Sequence, residues 1–436
     1  MLGAQRRAEI VGALRRGTVP QAGLDALAVG MERFAAALDA ELDSTALGRG
    51  VFKAVRGEYG SGKTFFGRWL QERARSRGFA TSEVQISETE TPLHRMETLY
   101  RRLIERLATA DASDHAFRGI IDGWFYALEE DVLAEGAPLA PDALVTRTEA
   151  LMERRLAAIS PMAPAFSATL RTYRRALLAE DTALADGLLA WVGGQPNVAA
   201  AVKRVAGIKG EIDHFGAAGF LAGLLTVLRD SGFKGLLLVL DEVETMQRMR
   251  ADTRERGLNA LRQFIDEIDA GRYPGLFLLI TGTPAFFDGP QGVQRLPPLA
   301  QRLHVDFGGE PRFDNPRAVQ IRLPGFDLDM LARLGAHVRE IFVEECTAPA
   351  RVRERADNAY LMRLVRGVAG RLGGKVGIAP RLYLKKLVAE VLDRIDQYPD
   401  FDPRRHYAPT LVEVEMTAVE RAGAAALSVD DIELDP

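Results

Sequence analysis

The chain has 436 residues, of which 47% are hydrophobic and 27% are charged, and this globular composition allows two or three domains with hydrophobic cores. A formal net charge of −4 argues against a broad basic surface for nucleic acid, although a local basic patch is still possible. Cys346 is the only cysteine, so a disulfide framework within one chain is excluded and a cytoplasmic location is expected. The longest apolar runs, near 236–240 and 276–280, are too short to span a bilayer.

Two helices are expected before the first strand. Residues 4–16 predict a short basic helix that ends at the Gly-Thr-Val-Pro run of 17–20, and 31–42 predict an amphipathic helix. Val29 and Gly30, between these helices, are candidates for an apolar wall against an adenine ring. Packing helices without ligand contact would give the same pattern, so both interpretations remain open.

The most specific motif follows a β-rich run from Val51 to Val55. Residues 57–64, Gly-Glu-Tyr-Gly-Ser-Gly-Lys-Thr, match the P-loop pattern without a departure. The three glycines are expected to adopt positive φ, so that N–H groups point at phosphate oxygens, and the following helix adds its positive N-terminal end. Lys63 is placed to reach the β- and γ-phosphates, and the Thr64 hydroxyl is placed to ligate Mg²⁺. The residues expected to contact ATP are Gly57, Glu58, Tyr59, Gly60, Ser61, Gly62, Lys63, Thr64 and Phe65.

A long helical region separates the second strand from the third. After a predicted strand at 82–86, hydrophobic residues recur at helical spacing from Leu93 to about Phe215 without alternating strand patterns. This stretch is too long to be a loop in a compact domain, so it is predicted to be a helical insertion. Its aromatic side chains, Phe125 and Tyr126 among them, are expected to form a core.

A continuous apolar strand, 235–240, is followed directly by Asp241 and Glu242, as expected for a strand covered on both faces of a sheet. Asp241 is expected to hold Mg²⁺ through its water shell, the Walker B role, and Glu242 to act as general base on the attacking water. Two adjacent acids could also form an exposed turn. The intact P-loop upstream favours the catalytic interpretation.

A second buried strand, 276–280, ends in a Thr-Gly-Thr-Pro turn. Thr281 is the first candidate for contact with the γ-phosphate or the attacking water, and Thr283 is the second. A plain strand-end turn would look the same. Downstream, Arg302 and then Arg295 are candidates for an arginine finger that reaches a neighbouring subunit, while a surface ion pair is the alternative for either. A finger in trans requires a homo-oligomer.

The remaining chain predicts a fifth strand at 318–323 and then a helical unit. Arg381 lies in the first turn of a helix expected over 382–395, where a cation is unfavourable for the helix dipole. Its placement therefore suggests another role, such as contact with the γ-phosphate. A modest basic cluster in this unit is a weaker candidate for direct DNA contact and consists of Lys375, Arg381, Lys385 and Lys386.

The order of these features resembles the plan of AAA+ ATPases, in which Thr281, Arg302 or Arg295, and Arg381 would be sensor 1, arginine finger and sensor 2. The resemblance implies an α/β P-loop NTPase with a mainly parallel sheet, a long helical insertion and a C-terminal helical lid. The resemblance implies five segments. Residues 1–50 are the N-terminal helices and the adenine-side wall, 51–92 the P-loop half of the core, and 93–215 the helical insertion. Residues 216–327 are the Walker B and sensor 1 half of the core, and 328–436 are the lid and the tail.

Four longer stretches are also similar to the BrxD-like ATP-binding proteins of bacterial BREX anti-phage systems. They are Val-Arg-Gly-Glu-Tyr-Gly-Ser-Gly-Lys-Thr-Phe-Phe at 55–66, Glu-Val-Gln-Ile-Ser-Glu-Thr-Glu-Thr-Pro-Leu-His at 83–94, Leu-Asp-Glu-Val-Glu-Thr at 240–245 and Ile-Thr-Gly-Thr-Pro-Ala-Phe-Phe at 280–287. This resemblance implies cytoplasmic phage defence, a helicase-like or other defence partner, and DNA as the ultimate target. Two functions remain open: an ATPase that remodels or loads a partner or DNA, and a nucleotide-gated switch with little turnover.

Overall fold

The computed structural model describes residues 3–136, 140–370 and 380–410 of the chain. The strands are β1 Val51–Arg56, β2 Ala80–Gln85, β3 Leu236–Asp241, β4 Leu276–Gly282 and β5 Gln320–Arg322. The helices before β3 are α1 Ala4–Arg16, α2 Glu32–Ala46, α3 Lys63–Ser76, α4 Met96–Glu105, α5 Phe117–Ala134, α6 Pro141–Arg155, α7 Pro164–Leu178, α8 Thr182–Val192, α9 Ala200–Val205 and α10 His214–Asp230. Those after β3 are α11 Ala251–Asp269, α12 Pro284–Asp288, α13 Pro297–Leu303, α14 Leu328–Val343, α15 Pro349–Arg355, α16 Asn358–Gly370, α17 Pro380–Lys385, α18 Asp393–Gln397 and α19 Pro403–His406.

The strands of the described chain form one sheet in the order β2-β3-β4-β1-β5, and every neighbouring pair is parallel. The predicted α/β class with a parallel sheet is therefore confirmed. All residues of β3 and β4 are buried, because helices cover both faces of the sheet. Since β4 lies between β1 and β3, the segments that follow these three strands meet at one edge of the sheet.

The region between β2 and β3 is helical in its described residues, as the sequence predicts. Its core is built around Phe220 on α10, whose ring makes edge contacts with Tyr100, Phe166 and Trp191. The expectation that its aromatic side chains are core is wrong for Tyr126. That side chain is 63% exposed on α5, whereas the preceding Phe125 is buried.

The two N-terminal helices belong to different cores. Ile10 and Leu14 of α1 pack in one hydrophobic cluster with the C-terminal helices α14 to α18, and Arg15 adds an ion pair of 2.7 Å with Asp393. In contrast, Phe34 of α2 packs in the cluster that lies against α3 and the sheet. The predicted 1–50 segment is thus divided in its packing, while the five-segment division as a whole stays a prediction.

The C-terminal helices deviate from the predicted continuous helix over 382–395. After α17 the chain forms a π-helix, Lys386–Leu392, before it continues as α18. Lys375 and the acidic tail from residue 411 onward lie outside the described residues. Within the described ranges, no helix combines the length and the apolar character that a membrane crossing requires.

Candidate functional site

Residues 57–64, called the P-loop after the sequence pattern that they match, connect β1 to α3 at the carboxyl edge of the sheet. Gly60 and Gly62 have φ of 80° and 90°, which is the left-handed conformation that the sequence predicts for them. The expectation of positive φ is wrong for Gly57. Glycine is required there for another reason, since a Cβ would collide with the Ser61 side chain and lie 3.3 Å from the Leu323 Cβ. No side chain caps the N-terminus of α3, so its first amide groups are available to an anion.

The ammonium group of Lys63 is folded back onto its own loop. Its Nζ donates to the carbonyl oxygens of Gly57 at 2.9 Å and Glu58 at 3.3 Å. The Tyr59 ring covers the ammonium group, with Nζ 5.1 Å from the ring centroid. Glu244 approaches from the remaining side, with its Oε1 3.7 Å from Nζ. The ammonium group is therefore surrounded by carbonyl and carboxylate oxygens that phosphate oxygens could replace.

Three side chains that are distant in sequence meet beside the P-loop. The Thr64 hydroxyl donates to Asp241 Oδ2 at 2.8 Å, across 177 residues of sequence. Thr281, at the end of β4, donates from its hydroxyl to the other carboxylate oxygen of Asp241. The same Thr281 oxygen accepts the backbone N–H of Glu242 at 3.3 Å. The structure thus brings together four of the predicted site residues, Thr64, Asp241, Glu242 and Thr281, while the role predicted for each of them stays a prediction.

The oxygen atoms of Thr64 and Asp241 are suitable for magnesium. A hydroxyl and a carboxylate are hard donors, and Mg²⁺ usually takes only one or two carboxylates from a protein and completes its shell with water and phosphate oxygens. Among the described residues, no group of three or more His, Cys, Asp or Glu could hold a metal by itself. This arrangement fits an ion that arrives with a nucleotide.

Glu242 has an unusual backbone and a specific partner. Its φ of 59° and ψ of 41° place a non-glycine residue in the left-handed region, which is uncommon and concentrates at functional sites. Its carboxylate accepts a 2.8 Å hydrogen bond from Gln85 Nε2. Gln85 is not among the residues predicted from the sequence. The available signal is its place near the end of a predicted strand, and the structure puts it in register with Asp241.

A cavity of about 560 Å³ lies next to the P-loop and is called the P-loop cavity below. Its polar end contains Lys63, Thr64, Asp241, Glu242 and Glu244. Its other end is mainly apolar and is lined by Leu14, Val19, Pro20, Leu27, Val29, Met31, Phe65, Phe326, Leu334, Pro380 and Leu384. A polar half joined to an apolar half of this size suits a nucleotide, whose phosphates and base have opposite requirements.

The predicted residues outside the P-loop differ in their relation to this cavity. Val29 and Arg381 line it. Gly30 does not line it; its φ is 81° and the Met330 methyl group lies 2.9 Å from where a Cβ would be. Thr283 is buried at the start of α12 and does not line the cavity either. A larger, more polar cavity of about 1210 Å³ lies along α3 and β2 but contains no residue of the P-loop.

The two candidate finger residues lie away from the P-loop cavity of their own chain. Arg302 forms ion pairs with α11, to Asp266 at 2.7 Å and to Asp269 at 3.4 Å. Arg295 is exposed, and its guanidinium makes no ion pair with any residue that the structure describes. In the basic C-terminal cluster, Lys386 is 1% exposed and pairs with Glu390, so it does not present its charge to solvent.

The sequence matches one protein family over nearly its whole length. The family model described as BREX system ATP-binding protein BrxC/D aligns with residues 2–411. The chain belongs to this family. The resemblance predicted from the four sequence stretches is thereby confirmed, and membership supports the prediction of an ATP-binding protein connected with BREX defence. No curated protein sequence matches the chain.

Proposed function

We propose that the chain is a Mg²⁺-dependent ATPase of a cytoplasmic BREX defence system, with an AAA+-type core and a C-terminal helical lid formed by α14 to α19. One observation carries the proposal: the 2.8 Å hydrogen bond that joins Thr64 of the P-loop to Asp241 at the end of β3. This contact assembles the phosphate and metal ligands at one edge of the sheet. Beside it, the apolar end of the P-loop cavity accommodates a base, and the family is an ATP-binding one.

Each residue of the site has a role in this proposal. Lys63 would turn from the carbonyl groups of its loop toward the β- and γ-phosphates, and Thr64 and Asp241 would hold the magnesium ion. Such an ion would supply neutralisation of the charge on the phosphates. Glu242 orients the attacking water and accepts its proton, and Thr281 fixes the position of Asp241 and the backbone of Glu242.

Arg381 gives the C-terminal helices a cation at the P-loop cavity. A triphosphate there would attract this arginine, so binding and hydrolysis would change how firmly these helices close on the core. We propose that this closure remodels or loads a partner protein or DNA. Arg295, which is exposed, suits the finger of a homo-oligomer better than Arg302, whose guanidinium is engaged by α11.

A nucleotide-gated switch that recruits a helicase-like partner is the second candidate. The observation that favours it is the hydrogen bond between Gln85 and Glu242, because a base whose carboxylate is already engaged is less available to activate water. In a switch, nucleotide binding would set the conformation and turnover would be slow. The rate of phosphate release with and without duplex DNA separates the two functions.

Replacing Lys63 and Glu242 tests the proposal. Lys63→Ala should abolish nucleotide binding, since it removes the cation that contacts the β- and γ-phosphates. Glu242→Gln should keep binding intact and lower steady-state phosphate release by about 10²-fold or more, because a general base contributes factors of that order. Titration calorimetry with MgADP and a phosphate-release assay measure both effects. Lys234→Ala, at an exposed lysine outside the P-loop cavity, serves as the control.

The possible outcomes distinguish the two functions. Turnover of Glu242→Gln at the wild-type rate would refute the mechanism. A wild-type protein that binds nucleotide but releases phosphate only in a single stoichiometric burst would favour the switch. Light scattering with and without a slow ATP analogue tests the proposed oligomer, because a finger in trans acts only in an assembly.

A further inference from the structure

Glu244 is a buried acid at the polar end of the P-loop cavity that the sequence analysis did not assign. It lies in a 3₁₀ turn, Val243–Arg248, directly after the Asp241-Glu242 pair. Its side chain is 5% exposed, and neither carboxyl oxygen has a hydrogen-bond partner on another described residue. Buried carboxyl oxygens without partners are rare in folded proteins and call for an explanation.

The nearest opposite charge is that of Lys63. The distance of 3.7 Å between Glu244 Oε1 and Lys63 Nζ is an ion-pair distance without a close hydrogen bond. Burial raises the pKa of the Glu244 carboxyl, and the charge of Lys63 acts in the opposite direction. The charge of this carboxylate therefore depends on the ammonium group staying nearby. Asp241 and Glu242 add repulsion and so increase that dependence.

The other contacts of Lys63 leave its ammonium group open to a nucleotide only on the side that Glu244 faces. The carbonyl groups of Gly57 and Glu58 hold the ammonium group against the loop, and the Tyr59 ring covers it. Glu244 faces it from within the P-loop cavity. Polyphosphate that enters this end must take the ammonium group from Glu244 and must also approach a carboxylate of like charge.

We propose that Glu244 is a positioning residue that holds the ammonium group of Lys63 and competes with the β- and γ-phosphates for it. The inference rests on the proposed nucleotide site and adds a control on its affinity. Glu244 thereby weakens nucleotide binding more strongly when the nucleotide places more phosphate charge next to Lys63. Nucleotide binding would break the ion pair between Glu244 and Lys63 and would bring the phosphates close to a like charge. Both effects lower the nucleotide affinity.

The test compares nucleotides that differ only in their phosphates. Glu244→Gln keeps the size of the side chain and removes its charge, so MgADP should bind about tenfold more tightly, as expected for the removal of one nearby like charge. AMP, which lacks the phosphates that Lys63 contacts, should bind with unchanged affinity. Titration calorimetry of each nucleotide gives the dissociation constants. Glu83→Gln is the matched control, because Glu83 is paired with Arg68 outside the P-loop cavity.

Each result supports or overturns the proposal. Unchanged MgADP affinity, or an equal gain for AMP, would overturn it, because a purely structural effect does not depend on phosphate number. Loss of turnover with unchanged MgADP affinity would overturn it too and would make Glu244 the general base. If Glu244→Gln does not fold, Glu244→Asp, whose carboxylate lies farther from Lys63, should bind MgADP with an intermediate affinity. Failure of the wild-type protein to bind MgADP would refute the proposed function instead.

Discussion

At the scale of single residues, Thr281 connects the two acids that follow β3. Its hydroxyl donates to Asp241 and accepts from the backbone N–H of Glu242, and its side chain is fully buried. One hydroxyl thus fixes the carboxylate that is proposed to bind the metal and the start of the turn that carries the proposed base. The position of β4 between β1 and β3 makes this contact possible.

Thr281→Val should separate binding from turnover. Valine has nearly the shape of threonine but lacks the hydroxyl, so Asp241 loses a donor and the N–H of Glu242 loses an acceptor. We expect phosphate release to fall by about 10²-fold, as for the loss of one preorganised hydrogen bond, while MgADP affinity changes less than about threefold. Thr281→Ser keeps the hydroxyl and should restore most of the rate. Equal rates for the valine variant and the wild type would contradict this role.

At the scale of helices and strands, the sequence predicts best where the signal is local. The P-loop and the apolar runs of β3 and β4 were identified because glycine spacing and two-sided burial leave a pattern within a few residues. The contacts between Gln85 and Glu242 and between Glu244 and Lys63 were missed, because Gln85 and Glu244 belong to no motif that indicates a distant partner. Local periodicity carries no information about such pairs.

Lys53 is another residue whose role only the packing of elements reveals. This β1 side chain is 1% exposed and forms a 2.9 Å ion pair with Glu41 of α2. Its Nζ also lies within hydrogen-bond distance of three successive carbonyl groups before β5, at 3.5, 3.3 and 3.0 Å from the oxygens of Pro316, Arg317 and Ala318. A buried lysine therefore joins α2, β1 and the segment that leads into β5.

Lys53→Met should destabilise the fold. The substitution leaves the carbonyl groups without a donor and removes the counter-ion of Glu41, whose side chain is 28% exposed, so we expect a loss of about 1–3 kcal/mol. Urea unfolding followed by circular dichroism measures the loss in the free energy of unfolding. Lys234→Met, at an exposed lysine, should change it by less than about 0.5 kcal/mol. A loss below about 1 kcal/mol for Lys53→Met would show that the carbonyl groups find other donors.

At the scale of the whole molecule, the P-loop cavity joins three parts of the chain. Leu14 belongs to the N-terminal segment, Tyr59 and Lys63 to the loop that follows β1, and Leu384 to the C-terminal helices. Because α1 shares a core with those helices, the first and last described parts of the chain form one wall of the cavity. A base bound there would contact the C-terminal helices, which are proposed to close on the core.

Leu14 and Ile10 allow this wall to be tested with a matched pair of substitutions. Both are buried in the core that α1 shares with the C-terminal helices, but only Leu14 lines the P-loop cavity. Either alanine substitution should lower the free energy of unfolding by about 2–4 kcal/mol. Only Leu14→Ala should weaken AMP and MgADP binding, each about fivefold to tenfold, because the lost contact is with the base and not with the phosphates.

Urea unfolding and titration calorimetry on the two variants separate stability from binding. Equal loss of affinity in Ile10→Ala and Leu14→Ala would mean that nucleotide affinity depends on the stability of this core and not on contact with Leu14. The base would then bind elsewhere. Weakening confined to Leu14→Ala, with AMP and MgADP affected alike, would place the base at the apolar end of the cavity. That pattern is the opposite of the phosphate-dependent gain expected for Glu244→Gln, so the two ends of one site can be assigned independently.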